Sequence, residues 1–198
     1  MSPVQEQLFR SSAHDQDVVE LLMSQHNQIK QLLEQVQAAP GLSKREPFEE
    51  LVRLLAVHES AEEEVIHPTA RRVAVNDQIV DARLQEEQQA KRELAELFEM
   101  GPEHREFDQR FRAFAERVVE HAEMEEKEEF GPLLQHSSAA QRASLATAVR
   151  VAEAVAPTRP HTVGGESALS NVAFGPPLAV FDRVRDAVRD WRRQSEQS

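Results

Sequence analysis

The sequence predicts an all-α protein, an antiparallel up-down-up-down four-helix bundle with additional C-terminal helices, and three observations predict it. Apolar residues recur at i, i+3, i+4 and i+7 through four long segments. The glycines stand at Gly41, Gly101, Gly131, Gly164, Gly165 and Gly175, with prolines beside most of them, so they read as breaks between helices. No run alternates Val, Ile and Thr in the manner of a strand.

The first helix is expected from about Asp15 to Ala38, with Val18, Leu22, Ile29, Leu33 and Val36 on one face. The second runs from about Arg45 to Val75, and Leu51, Leu54, Leu55, Val65 and Ile66 face inward. The third runs from about Asn76 to Met100, with Val80, Leu84, Ala90, Leu94 and Leu97. The fourth runs from about Glu103 to Phe130, with Phe107, Phe111, Phe114 and Val118. Short breaks between such helices favour antiparallel neighbours. Residues 14–132 would form the bundle and residues 133–156 an additional helix, Ala139 to Ala156, closed by Pro157. Residues 157–175, rich in Pro, Gly, Ser and Thr, read as a flexible linker. Residues 176–193 repeat Leu178, Phe181, Val184, Val188 and Trp191 as an amphipathic helix that would dock on the bundle or on a second copy, giving a homodimer.

Composition removes several function classes. The 198 residues carry 23 Lys and Arg against 35 Asp and Glu, a net charge of −12 that repels nucleic acid. The absence of cysteine excludes disulfides, thiolate catalysis, Fe–S clusters and Cys-type zinc sites. No apolar run approaches the roughly 20 residues of a membrane span, and Met1 to Arg10 lacks a secretory apolar stretch, so a cytoplasmic protein is expected. Chemistry is left to eight histidines and many carboxylates.

Helices two and four repeat one another. His58-Glu-Ser-Ala-Glu62 through Pro68 matches His121-Ala-Glu-Met-Glu125 through Gly131, with Pro132 one step later. Both read His-x-x-x-Glu, a second Glu, then a proline expected to break the helix. Helices one and three also superpose, Gln25-His26 to Lys30 against Glu86-Glu87 to Lys91. The chain therefore reads as a duplicated helical hairpin. His26, His58, Glu62, Glu87, His121 and Glu125 all fall on the apolar stripes and point into one core. An unpaired buried carboxylate costs several kcal/mol, so three of them need compensation.

A buried His–Glu hydrogen-bond network would be one compensation and a metal the other. Imidazole and carboxylate without thiolate suit Fe, Mn or Zn. His67, before Pro68, reads as a capping or outer residue off the ligand face; the runs Glu62–Glu64 and Glu125–Glu129 read mostly as solvent faces, with Glu63 and Glu126 able to support ligand imidazoles. The ferritin-like pattern needs two Glu-x-x-His motifs, and only Glu64-Val-Ile-His67 has that spacing.

This arrangement resembles the hemerythrin/HHE cation-binding family over about residues 14–132: a lone His on the first helix, His-x-x-x-Glu on the second, one ligand on the third and His-x-x-x-Glu on the fourth. The resemblance implies a four-helix bundle with a non-heme diiron centre that binds O₂ or related ligands, in a family whose members include peroxide-decomposing, nitric-oxide-responsive and iron-sensing proteins. It implies His26 and His58 on one iron, His121 on the other, and Glu62 and Glu125 as bridges. On helix three the family usually has His where this chain has Glu87, and the oxygen carriers have a further His where this chain has Arg83. Harder, anionic ligands favour the ferric state and weaken reversible O₂ carriage. The expectation is a diiron protein of oxidative or nitrosative stress or iron handling that binds O₂, H₂O₂ or NO, with catalase-like peroxide decomposition as its candidate enzymatic activity. The rival expectation is an iron-responsive or structural module acting through a partner.

Overall fold

The computed structural model describes residues 17–73 and 76–156, all of it helix and connecting turns. The expected linker, the C-terminal amphipathic helix, His14 and His161 lie outside the described residues.

Helix α1, Val18–Ala38, begins where the Asp17 carboxylate accepts from the Val19 N–H, which satisfies an otherwise orphaned first-turn donor. A 3₁₀ turn, Gly41–Lys44, leads into α2, Arg45–Ala61. The chain then widens into a π turn, Glu62–Ile66, and continues helically through His67–Ala70. Helix α3, Asp77–Met100, is capped by the Asn76 side chain and ends at Gly101, whose φ of 76° suits a residue without Cβ. Helix α4, Phe107–Glu125, passes into a second π turn, Glu126–Phe130, and a short helical end, Gly131–His136. Helix α5, Ala139–Val155, opens on a capping box between Ser138 and Gln141.

Neither proline ends its helix, contrary to the sequence expectation. Pro68 and Pro132 each stand in the first turn of the helical segment that follows a π turn. There a missing N–H and a fixed φ cost least.

The helices α1 and α2, α3 and α4, α1 and α4, and α2 and α3 pack against one another, and α5 lies across α1, α2 and the first π turn. Two apolar clusters result. One gathers Ile29, Leu33, Phe48, Leu55, Leu94 and Phe111 with their neighbours. The other joins Leu22, Val65, Ile66, Val80 and Phe130 to Leu145 and Val149 of α5. Between them each of α1 to α4 contributes polar residues to the interior: His26, His58, Arg83 and Glu87, and Glu125. The candidate site is therefore a polar layer clamped between two hydrophobic ones. No helix of the described residues is long and apolar enough to cross a membrane.

Candidate metal centre

The polar layer is built by helical spacing. His58 and Glu62 stand four apart, as do His121 and Glu125, so each pair projects one turn apart toward the same axis. His58 Nε2 approaches Glu62 Oε2 at 3.3 Å and His121 Nε2 approaches Glu125 Oε2 at 3.4 Å. From α1, His26 Nε2 enters between them, 3.8 Å from Glu62 Oε1 and 3.5 Å from Glu125 Oε2. From α3, Glu87 completes the set of six sequence-predicted residues, and all six meet in this layer.

A seventh group joins them. His67 is 1 % exposed, its Nε2 pairs with Glu87 Oε1 and lies 4.0 Å from Glu125 Oε1. The sequence reading placed it away from the other six, and the π turn is the reason it stands among them. In a continuous α-helix, five residues carry His67 about 140° away from Glu62. A π turn closes residue i onto i+5, which returns His67 over Glu62. Glu129, expected among solvent-facing acids, is likewise 1 % exposed.

The internal repeat identifies what His67 replaces. An offset of 63 aligns His67 with Phe130, which stacks on the His26 ring at a centroid distance of 5.4 Å. An offset of 61 aligns Glu87 with His26. One half thus pairs a histidine with a phenylalanine, and the other pairs a glutamate with a histidine. The imidazole absent from α3 is restored by the segment after α2.

Each imidazole is oriented the same way. The Nδ1–H of His26 donates to Glu126 Oε1 at 2.9 Å, that of His58 to Gln25 Oε1 at 2.8 Å, that of His67 to Glu129 Oε2 at 3.0 Å, and that of His121 to Glu86 Oε2 at 2.9 Å. All four Nε2 atoms point at carboxylates in the centre. The repeat holds here too: Gln25 aligns with Glu86, and Lys30 on Glu126 aligns with Lys91 on Glu63.

Charge in the metal-free protein follows from burial and pairing. Burial alone would depress the imidazoles, but the adjacent carboxylates of Glu125 and Glu62 raise His26 to about 10, bonds to Glu129 and Glu87 raise His67 to about 11, and the adjacent Glu125 carboxylate raises His121 to about 10. His58, buried beside cationic His26, is instead pushed down to about 3 and stays neutral. Burial and the neighbouring Glu125 lift Glu62 to about 7, while His121 and His26 overcome burial and hold Glu125 well below the usual carboxylate range.

Hydrogen bonds leave this layer incomplete. Among the described residues, the buried side-chain atoms without a hydrogen-bond partner are His26 Nε2, His121 Nε2, both oxygens of Glu62 and of Glu125, one oxygen each of Glu87 and Glu129, and Arg83 Nε and Nη1. Native interiors leave few such atoms, so this concentration of Lewis-basic ones fits cations. Three groups have ligand atoms within 4.8 Å of one another: His26, His58, Glu62 and Glu125; Glu87, His121 and Glu125; and His67, Glu125 and Glu129. Glu125 belongs to all three. A cavity of about 280 Å³ opens beside them, lined by His58, Glu62, Arg83, Phe114 and Val118 among others.

Comparison with known proteins agrees with this chemistry. The family model described as the hemerythrin HHE cation-binding domain matches residues 17–133. A solved hemerythrin HHE cation-binding domain-containing protein from Mycobacterium kansasii superposes with a TM-score of 0.58 at 18 % identity, covering 84 % of this chain and 98 % of that one. That likeness concerns the fold. A DNA nickase from Nostoc is 26 % identical over 144 residues, 72 % of this chain and 41 % of the nickase, so the chain spans about two fifths of that relative's length.

Proposed function

The chain belongs to the hemerythrin HHE cation-binding domain family, and from that premise we propose that it is a non-heme diiron protein of up-down-up-down four-helix architecture that binds a small ligand such as O₂, H₂O₂ or NO. The observation that carries the reading is the common orientation of four imidazoles, each pinned through Nδ1 and each presenting Nε2 to carboxylates whose oxygens lack partners. This is how metal-binding histidines are held.

In this reading His26 and His58 serve one ion, His67, His121 and Glu87 the other, and Glu62 and Glu125 lie between them. Mn or Zn would suit the same donors. The metal pair supplies Lewis acidity and, for iron, one-electron chemistry toward oxygen ligands. The chain supplies the rest. Glu126, Gln25, Glu129 and Glu86 fix the imidazoles, the two apolar clusters exclude water, and the cavity beside Arg83 admits the ligand. Three carboxylates in the ligand set favour the oxidised ion, which points to stress defence or iron handling over oxygen transport.

The nickase relative raises a second reading, metal-assisted phosphodiester cleavage, for which paired ions are also suited. The net charge of −12 opposes a phosphate backbone and ranks that reading second.

Elemental analysis of protein expressed with iron supplied tests the proposal. About two irons per chain are expected, both lost in Glu62→Ala/Glu125→Ala. A chain without bound metal would leave the layer as a His–Glu network.

A further inference from the structure

We propose that Glu153, on α5, is a positioning residue for the metal centre: it holds the Gln25 amide with its oxygen toward His58, so that His58 carries its proton on Nδ1 and offers a bare Nε2. The inference rests on the metal-binding reading, but its first readout needs no metal.

Three of the four acceptors behind the imidazoles are carboxylates, which can only accept. The fourth, Gln25, is an amide, and an amide presents either an oxygen or an NH₂ to the same neighbour. Reversed, it would donate to Nδ1 and drive the proton to Nε2, the atom 3.3 Å from Glu62 Oε2 that would face the ion. A protonated Nε2 binds no metal.

Glu153 removes the choice. Its Oε1 accepts from Gln25 Nε2 at 2.5 Å, across 128 residues of sequence. A carboxylate there can bond only the NH₂ end, which leaves the carbonyl oxygen for His58. Across the internal repeat, Glu86 stands where Gln25 does, and Arg83 Nη2 donates to it at 3.0 Å. Each half of the bundle therefore clamps its outer acceptor with a group of opposite hydrogen-bonding character. Glu153 lies beyond the matched family region, residues 17–133, so α5 completes a site that the four bundle helices leave undetermined.

The test uses Glu153→Lys in the full chain. Lysine is donor-only, so it should turn the amide over. In metal-free protein labelled with ¹⁵N-histidine, the His58 ring shifts should move from the Nδ1–H to the Nε2–H tautomer. Zn(II) affinity by chelator competition should fall about 10- to 100-fold. Adding Gln25→Glu should restore both, because a carboxylate at 25 accepts from His58 whatever residue 153 is. An unchanged tautomer in Glu153→Lys overturns the inference. So does a loss that Gln25→Glu fails to rescue, which would make Glu153 a packing residue of α5. A tautomer switch in a chain that binds no metal would uphold the positioning role and refute the metal reading instead.

Discussion

Positions 67 and 87 decide what kind of centre this is. In one half of the repeat His26 faces the centre with Phe130 stacked on it; in the other Glu87 faces the centre with His67 against it. If the two residues are a relocated ligand pair, restoring the first half's pattern in the second should restore binding. His67→Phe alone should lose about one of two metal equivalents, because the ion served by His67 and His121 loses one of its two nitrogen donors while His26 and His58 are untouched. In metal-free protein the same change strands Glu87 and Glu129 in the interior, and breaking a buried pair costs about 3–5 kcal/mol. His67→Phe/Glu87→His should recover the second equivalent in elemental analysis. Failure of the double variant to recover metal, with its helicity intact, would show that the aligned positions are not exchangeable. The sequence makes six of these residues legible because each falls on an α-helical stripe or, for Glu62, on the first position beyond one. His67 and Glu129 follow or lie within π turns, where the 3.6-residue period no longer tells inside from outside. A signal was nonetheless present: the repeat aligns His67 with the apolar Phe130.

At the scale of elements, the two π turns and α5 set the site's geometry. The π turns begin at or just after the paired carboxylates Glu62 and Glu125, and duplication explains their common place. Apolar periodicity predicts the helices themselves, since Val18, Leu22, Leu51, Phe107 and Phe111 are all buried where the stripes place them. It does not predict the π turns, because proline after a Glu-rich run signals a helix end equally well. Nor does it say which surface α5 covers; its Ala and Val residues suit a helix packed on any apolar face. In the structure Leu145 and Val149 enter the cluster beside Phe130 and Val65, on the side where Gln25 meets Glu153. Leu145→Ala should cost about 2–5 kcal/mol in denaturant unfolding. Loosened α5 packing should also weaken Zn(II) binding, whereas Leu97→Ala in the opposite cluster should cost similar stability and leave affinity unchanged. Equal effects of the two on affinity would argue that α5 acts through global stability alone.

For the whole molecule, the metal-free core is a charge network whose protonation opposes metal. His26, His67 and His121 are raised from 6.5 to about 10, 11 and 10, so the folded chain holds protons that the unfolded chain releases. That stabilisation is fully present below about pH 6.5 and is lost as pH rises through the folded values near 10. Glu62, raised from 4.5 to about 7, acts in the same direction at lower pH: the native state keeps its proton over a range where the unfolded state has lost it. Stability of chelator-treated protein should therefore fall steadily from about pH 6.5 to 10 in thermal unfolding. Metal binding would oppose this dependence, because it needs bare Nε2 atoms and ionised carboxylates and so would expel those same protons. The gain in unfolding temperature on adding a fixed concentration of Zn(II) should grow with pH across this window, since a ligand stabilises by an amount set by its concentration relative to its Kd. Exchanging the protons for cations leaves the same histidines and glutamates neutralised, so the loaded protein should show a flatter profile than the metal-free one. A metal-free chain whose stability stays level from pH 6.5 to 10 would mean that the three histidines are not protonated in the fold, and the opposition between proton and metal would be lost with it.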